Sequence, residues 1–135
     1  MRAFVLQDWI TIRGGTTITT IIQNEPSWAQ LDAFQDVIFW TQVAEVTTGA
    51  GTISINYDTA PIKDETLFTA MATQGVSSAS LTPTLNKILM ASATTPVSKW
   101  VRWRITQSGT SSAWDMTFRI LLVANQQVVF MNQSQ

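Results

Sequence analysis

Residues 99–123 (KWVRWRITQSGTSSAWDMTFRILLV) hold two stretches of strict alternation joined by a short polar turn, and no other segment limits the fold so tightly. In the first, Val101, Trp103 and Ile105 point one way, while Trp100, Arg102, Arg104 and Thr106 point the other. In the second, Trp114, Met116, Phe118, Ile120 and Leu122 share a face opposed by Asp115, Thr117 and Arg119. Successive side chains of a strand lie on opposite faces, so a period of two reads as a β-hairpin with one side on a core and the other polar. That polar side carries arginines and a tryptophan where lysine, glutamate and serine are usual. A sheet of this kind covers something.

The rest of the chain repeats the theme. Strand patterns run over Phe4–Arg13, ended by Gly14-Gly15, and over Thr16–Gln23, which Pro26 stops. A short extended piece fits Trp28–Leu31. Asp36–Val46 (DVIFWTQVAEV) is apolar on both faces, with Ile38, Trp40, Ala44 and Val46 against Val37, Phe39 and Val43. Such a strand is expected to be covered twice, by the core and by another layer or subunit. Thr52–Asp58 alternates cleanly, with Ile53, Ile55 and Tyr57 inward. Asp64–Met71 suits a single helical turn or a strand crossing, Gln74–Ala79 reads as a loop, Leu85–Leu89 is ambiguous, and Gln127–Met131 suits a last short strand. About 8–10 short strands at sandwich-like spacing predict an all-β fold. The expected form is one domain over 1–135, a two-sheet antiparallel β-sandwich of jelly-roll type.

Composition narrows the function. Charged residues make up 13% of the 135 residues, about half of the roughly 25% usual in a soluble domain, and the net charge is −1. A surface filled by Thr, Ser, Asn and Gln is one kept neutral for lasting contact with partners, although branched residues also suit sheets in general. No basic cluster exists to neutralise phosphates, so nucleic acid is not an expected partner. No apolar run approaches the length of a membrane span, nothing resembles a signal peptide, and a soluble chain made in the cytoplasm is expected. The chain has no cysteine, hence no disulfide or thiolate metal site.

It has no histidine either, which removes the commonest general base and the usual nucleophile systems, and no phosphate-loop or nucleophile-elbow motif occurs. Catalytic residues, cofactors and metals are therefore expected to be none. Asp58, Asp64 and Glu65 are the acids nearest one another, open to a structural ion or a carboxylate-only hydrolase. Asp64 is better read as a cap on the turn at Glu65–Phe68. Among the tryptophans, Trp103, Trp114 and Trp40 are expected in the core. Interfaces favour Trp and Arg, which leaves Trp28, Trp100, Arg102, Arg104 and Arg119 as the candidate protein contacts. Simple pairing of the arginines with acids on adjacent strands, such as Asp115, is the competing reading.

The succession FQDVIFWTQVAEVT, INYDTAPIKDETLFTAM, KWVRWRI and WDMTFRILLVAN resembles small virion proteins of tailed bacteriophages and phage-derived elements. Over nearly its whole length the chain is similar to capsid decoration, or cement, proteins with a β-sandwich fold. The resemblance implies a non-enzymatic protein that binds the major capsid protein on the outside of a phage head, often as a homotrimer, and stabilises the shell. It would be made in the host cytoplasm and reside on the capsid surface. No functional residue carries over, because such proteins bind through shape. A carbohydrate-binding or adhesion module, with an exposed row of aromatic rings, and a tail or neck component are the alternatives.

Overall fold

The two alternating stretches form β8 (Trp100–Ser108) and β9 (Trp114–Gln126), but they do not pair with each other. In the computed structural model, which describes residues 1–77 and 82–126, they lie in different sheets. The expected hairpin is instead an arch, and the two apolar faces meet across the core. The ring of Trp103 on β8 stands edge-on to Phe118 on β9, with centroids 5.1 Å apart. Alternation shows that one face is buried. It does not distinguish a neighbour in the same sheet from one on the far side of the core.

The other strands are β1 (Arg2–Gly14), β2 (Thr20–Ile22), β3 (Ala29–Gln30), β4 (Phe34–Thr47), β5 (Thr52–Ala60), β6 (Thr69–Val76) and β7 (Thr84–Ile88). One sheet runs β1-β9-β4-β7, and the second runs β2-β8-β5-β6 with β3 also on β8. Every pairing is antiparallel. Setting the two-residue β3 aside, eight strands divide into two four-stranded sheets, consecutive strands lying in opposite sheets except for the β5-β6 hairpin, which is the jelly-roll sandwich. Single 3-10 turns, Glu25–Ser27 and Glu65–Leu67, sit in the connections.

Each sheet contributes its inward face to one core. Val37, Phe39 and Val43 of β4 and Met116, Phe118, Ile120 and Leu122 of β9 face Ile53, Ile55 and Tyr57 of β5 and Val101, Trp103 and Ile105 of β8. Full burial of such side chains stabilises by about 1.5–3 kcal/mol each. Phe39 and Tyr57 stack across the sheets at 4.2 Å and 14°. Gly14 is required where β1 meets β9, because a Cβ there would lie 2.1 Å from the Trp114 indole nitrogen and 2.5 Å from the Ile18 carbonyl. Gly49, with φ 65°, turns the chain from β4 to β5.

Several local expectations change. Gln74–Val76 is strand and not loop, since β6 continues on the edge of β5 with Ile53 opposite Val76 and Ile55 opposite Gln74. Edge positions accept small and polar residues that a central strand would not. The Thr16–Gln23 pattern is cut to Thr20–Ile22, because Gly15 and Ile18 close a turn with mutual backbone bonds. Trp40, expected in the core, is 42% exposed. Thr84–Ile88 resolves as a strand, and Asp64–Met71 is a turn followed by a strand. The strand expected at Gln127–Met131 lies outside the described residues.

One polar network spans the gap between the sheets. The Tyr57 hydroxyl hydrogen-bonds the buried Thr41 of β4, Gln74 of β6 at 3.4 Å, and Asn86 of β7. Gln74 and Asn86 are bonded in turn. Burial pushes the Tyr57 phenol from 10.0 up to about 12, against the smaller opposite effect of its hydrogen bonds. The unfolded chain therefore releases this proton first. Stability is full below pH 10 and falls as pH climbs from 10 to 12, by up to about 1.4 kcal/mol per pH unit. In urea unfolding, Tyr57→Phe is expected to flatten that fall relative to the parent, while costing about 1–2 kcal/mol at pH 7 by leaving Thr41 short of a partner.

Candidate interaction surface

The two outer faces of the sandwich are treated in opposite ways. On the β2-β8-β5-β6 sheet, Asp58 of β5 points outward yet its side chain is only 2% exposed. It accepts from Arg104 Nε at 2.9 Å and from Arg102 Nε at 3.4 Å. Arg102 also donates through Nη1 to Glu65 Oε1 at 2.5 Å. The buried Asp58 and Arg102 are thus balanced by the part-buried Arg104 and by Glu65, which is 61% exposed at the rim, and such pairing is the condition under which burying ions is tolerable. Over it fold the connections after β2 and β5. The Arg102 guanidinium lies 3.8 Å from the Phe68 ring centroid and 5.3 Å from that of Trp28, whose own rings meet at 4.8 Å. Trp28 is anchored by its indole N–H, which donates to the Gln23 carbonyl at 2.8 Å.

Asp64 begins this covering turn. Its Oδ1 accepts from the Thr66 amide at 3.0 Å and the Thr66 hydroxyl at 2.7 Å, and these bonds hold its carboxyl below the usual range. Asp64 therefore caps the turn, as its position suggested. Asp58, Asp64 and Glu65 do not converge on one point, and among the described residues no group of three His, Cys, Asp or Glu could hold a metal.

On the β1-β9-β4-β7 sheet nothing covers the outer face among the described residues. Register places Val5 beside Leu121, Leu121 beside Trp40 and Trp40 beside Leu85; one level along, Ala3, Val123, Ile38 and Lys87 follow. Val5 is 62% exposed, Trp40 42% and Leu85 45%. Ala3, Phe4, Val5, Trp40, Leu121 and Val123 line a shallow hollow of about 340 Å³. The other half of the same face is polar: Arg119 lies beside Gln42, Thr117 beside Thr11 and Glu45, and Asp115 beside Arg13. Arg119 Nε donates to Gln42 Oε1 at 2.9 Å, and its guanidinium faces the Trp9 ring at 5.0 Å.

The five contact candidates are thereby separated. Trp28, Arg102 and Arg104 belong to the inward-looking cluster, and the arginines pair with Asp58 and not with Asp115. Trp100 is half-buried with Lys63 Nζ 4.3 Å above its ring. Arg119 alone stands on the open face. The apolar half of that face escaped the candidate set, although its signal was present: β9 stops alternating at Leu121 and Val123, and β4 is apolar on both sides.

No protein-family model and no curated protein sequence matches this chain. Its fold has solved counterparts. The structure of the infectious bursal disease virus VP2 subviral particle superposes over 90% of this chain with a TM-score of 0.53 and 16% identity. A second structure, of the Gx strain of that virus, covers 90% at a TM-score of 0.45 and 14% identity. This chain spans only 31% of the VP2 chain in the subviral particle. The likeness shows a shared β-sandwich, of a kind used in a viral particle.

The division between a closed and an open face is measurable. Arg102→Ala leaves Asp58 buried with one base fewer and is expected to cost about 3 kcal/mol or more in urea unfolding. Val5→Ser, on the open face and 62% exposed, is expected to change stability by less than about 1 kcal/mol.

Proposed function

We propose that this chain is a non-enzymatic structural component of a virus particle, a decoration protein that attaches to the shell of a phage head and stabilises it. One observation carries the reading: among the described residues of a charge-poor domain, an apolar area spanning four strands is uncovered on the β1-β9-β4-β7 sheet. A contiguous apolar patch on this scale is of the kind that often serves as a contact surface. The fold shared with a protein solved as a subviral particle supports a particle role by analogy only, because sandwiches of this kind serve many functions. Repetition over a lattice turns modest contacts into firm attachment through effective concentration.

Trp9 and Trp40 are exposed, and this favours a sugar-binding module as the second reading. The Trp9 ring is already faced by Arg119, which leaves Trp40 as the free platform. A glycan array separates the two readings.

Purified chain is expected to add density to expanded, DNA-filled heads of a tailed phage that lack a decoration protein, and to raise the temperature at which they release DNA. Trp40→Asp is expected to weaken that binding by about tenfold or more. Heads that gain neither density nor heat resistance would overturn the proposal.

A further inference from the structure

We propose that the open face of the β1-β9-β4-β7 sheet is covered by the same face of a second copy of this chain, the two copies related by a two-fold axis running along the strands. The inference rests on reading this face as an assembly surface and names what assembles on it.

Its size is the first argument. Three strands of 13, 14 and 13 residues and the five-residue β7 make up the face. With strands about 4.8 Å apart and about 3.3 Å of rise per residue, its footprint is roughly 700 Å². A standard stable interface buries about 800 Å² per partner. One further flat face of equal size suffices, and two sheets packed face to face are already how this sandwich is built.

The distribution of chemistry along the face is the second argument. A two-fold along the strands keeps each end of the face opposite the same end of the other copy, and exchanges β9 with β4 and β1 with β7. Apolar half then meets apolar half, with Leu121 and Val123 of one copy on Trp40 and Ile38 of the other. In the polar half the same rotation brings Arg119 of β9 over β4 of the second copy. Glu45 stands there one cross-strand level from Gln42, the residue beside Arg119 in its own copy. Neither Arg119 nor Glu45 has an ion-pair partner among the described residues. The rotation supplies one to each, twice over. A single self-complementary face yields pairs, whereas a closed trimer needs two different patches on each subunit.

Sedimentation velocity of the purified chain tests this directly. The parent is expected to convert from monomer to dimer as concentration rises to about 200 μM. Trp40→Asp is expected to remain monomeric with its circular dichroism unchanged. Arg119→Glu and Glu45→Arg are each expected to weaken the dimer by about tenfold, and the double variant to recover most of the loss, because the charges have only changed places. This rescue keeps the test sharp even if Trp40→Asp folds poorly. A parent that stays monomeric, a trimer, or a double variant as weak as the single ones would overturn the inference. A monomeric parent that still binds heads through Trp40 would overturn the second copy and leave the decoration reading standing. A rescued dimer that ignores heads would support the second copy and remove the decoration reading.

Discussion

The contact on which the structure depends is the meeting of β8 and β9 across the core, with Trp103 edge-on to Phe118. Because these consecutive strands lie in opposite sheets, their apolar faces turn toward each other and their polar faces are sent to opposite sides of the molecule. Arg102 and Arg104 end on one outer surface and Arg119 on the other. The chain then treats the two surfaces differently. Connections after β2 and β5 roof the first, while among the described residues nothing covers the second.

Much of this architecture was legible in the residues. The period of two in Val101–Ile105 and Trp114–Leu122 located both strands and the large apolar side chains they turn to the core, though not the burial of Arg102, Gln107 and Ala124. Thr52–Asp58 gave the inward Ile53, Ile55 and Tyr57 of β5 but not the burial of Asn56 and Asp58. What alternation could not supply was the partner, because a strand pattern is the same whether its neighbour lies in its own sheet or beyond the core. Trp40 illustrates a second limit. An indole on a doubly apolar strand reads as core, but β4 has only one core to face, and its other side presents Trp40 outward. Gln74–Val76 illustrates a third: Gln74 and Gly75 lack strand propensity, and only pairing with β5 on an open edge makes this a strand.

The candidate contacts show why a surface is harder to read than a core. Arg102 and Trp28 have the composition of a binding site, and they do bind something, namely each other, Phe68, Asp58 and Glu65. Residues 34 to 74 positions from Arg102 in sequence gather around it there, and no local pattern announces such a meeting. The apolar half of the open face had a local signature in Leu121 and Val123, where alternation lapses. A lapse of that kind at the end of an otherwise regular strand marks a face with unfinished business outside its own fold.

The mutual pairing of Asp58, Glu65, Arg102 and Arg104 has a further consequence. The chain carries eight basic and nine acidic residues, 17 in all, so four of its 17 charges are spent on one another. What remains outside is a sparse scatter, so few charge interactions are left for ionic strength to screen. A contact made mainly of Leu, Val, Ile and Trp responds to temperature instead, since apolar burial loses force on cooling. Assemblies of this chain should therefore loosen in the cold and yield to brine only as far as the Arg119–Glu45 pairs hold them.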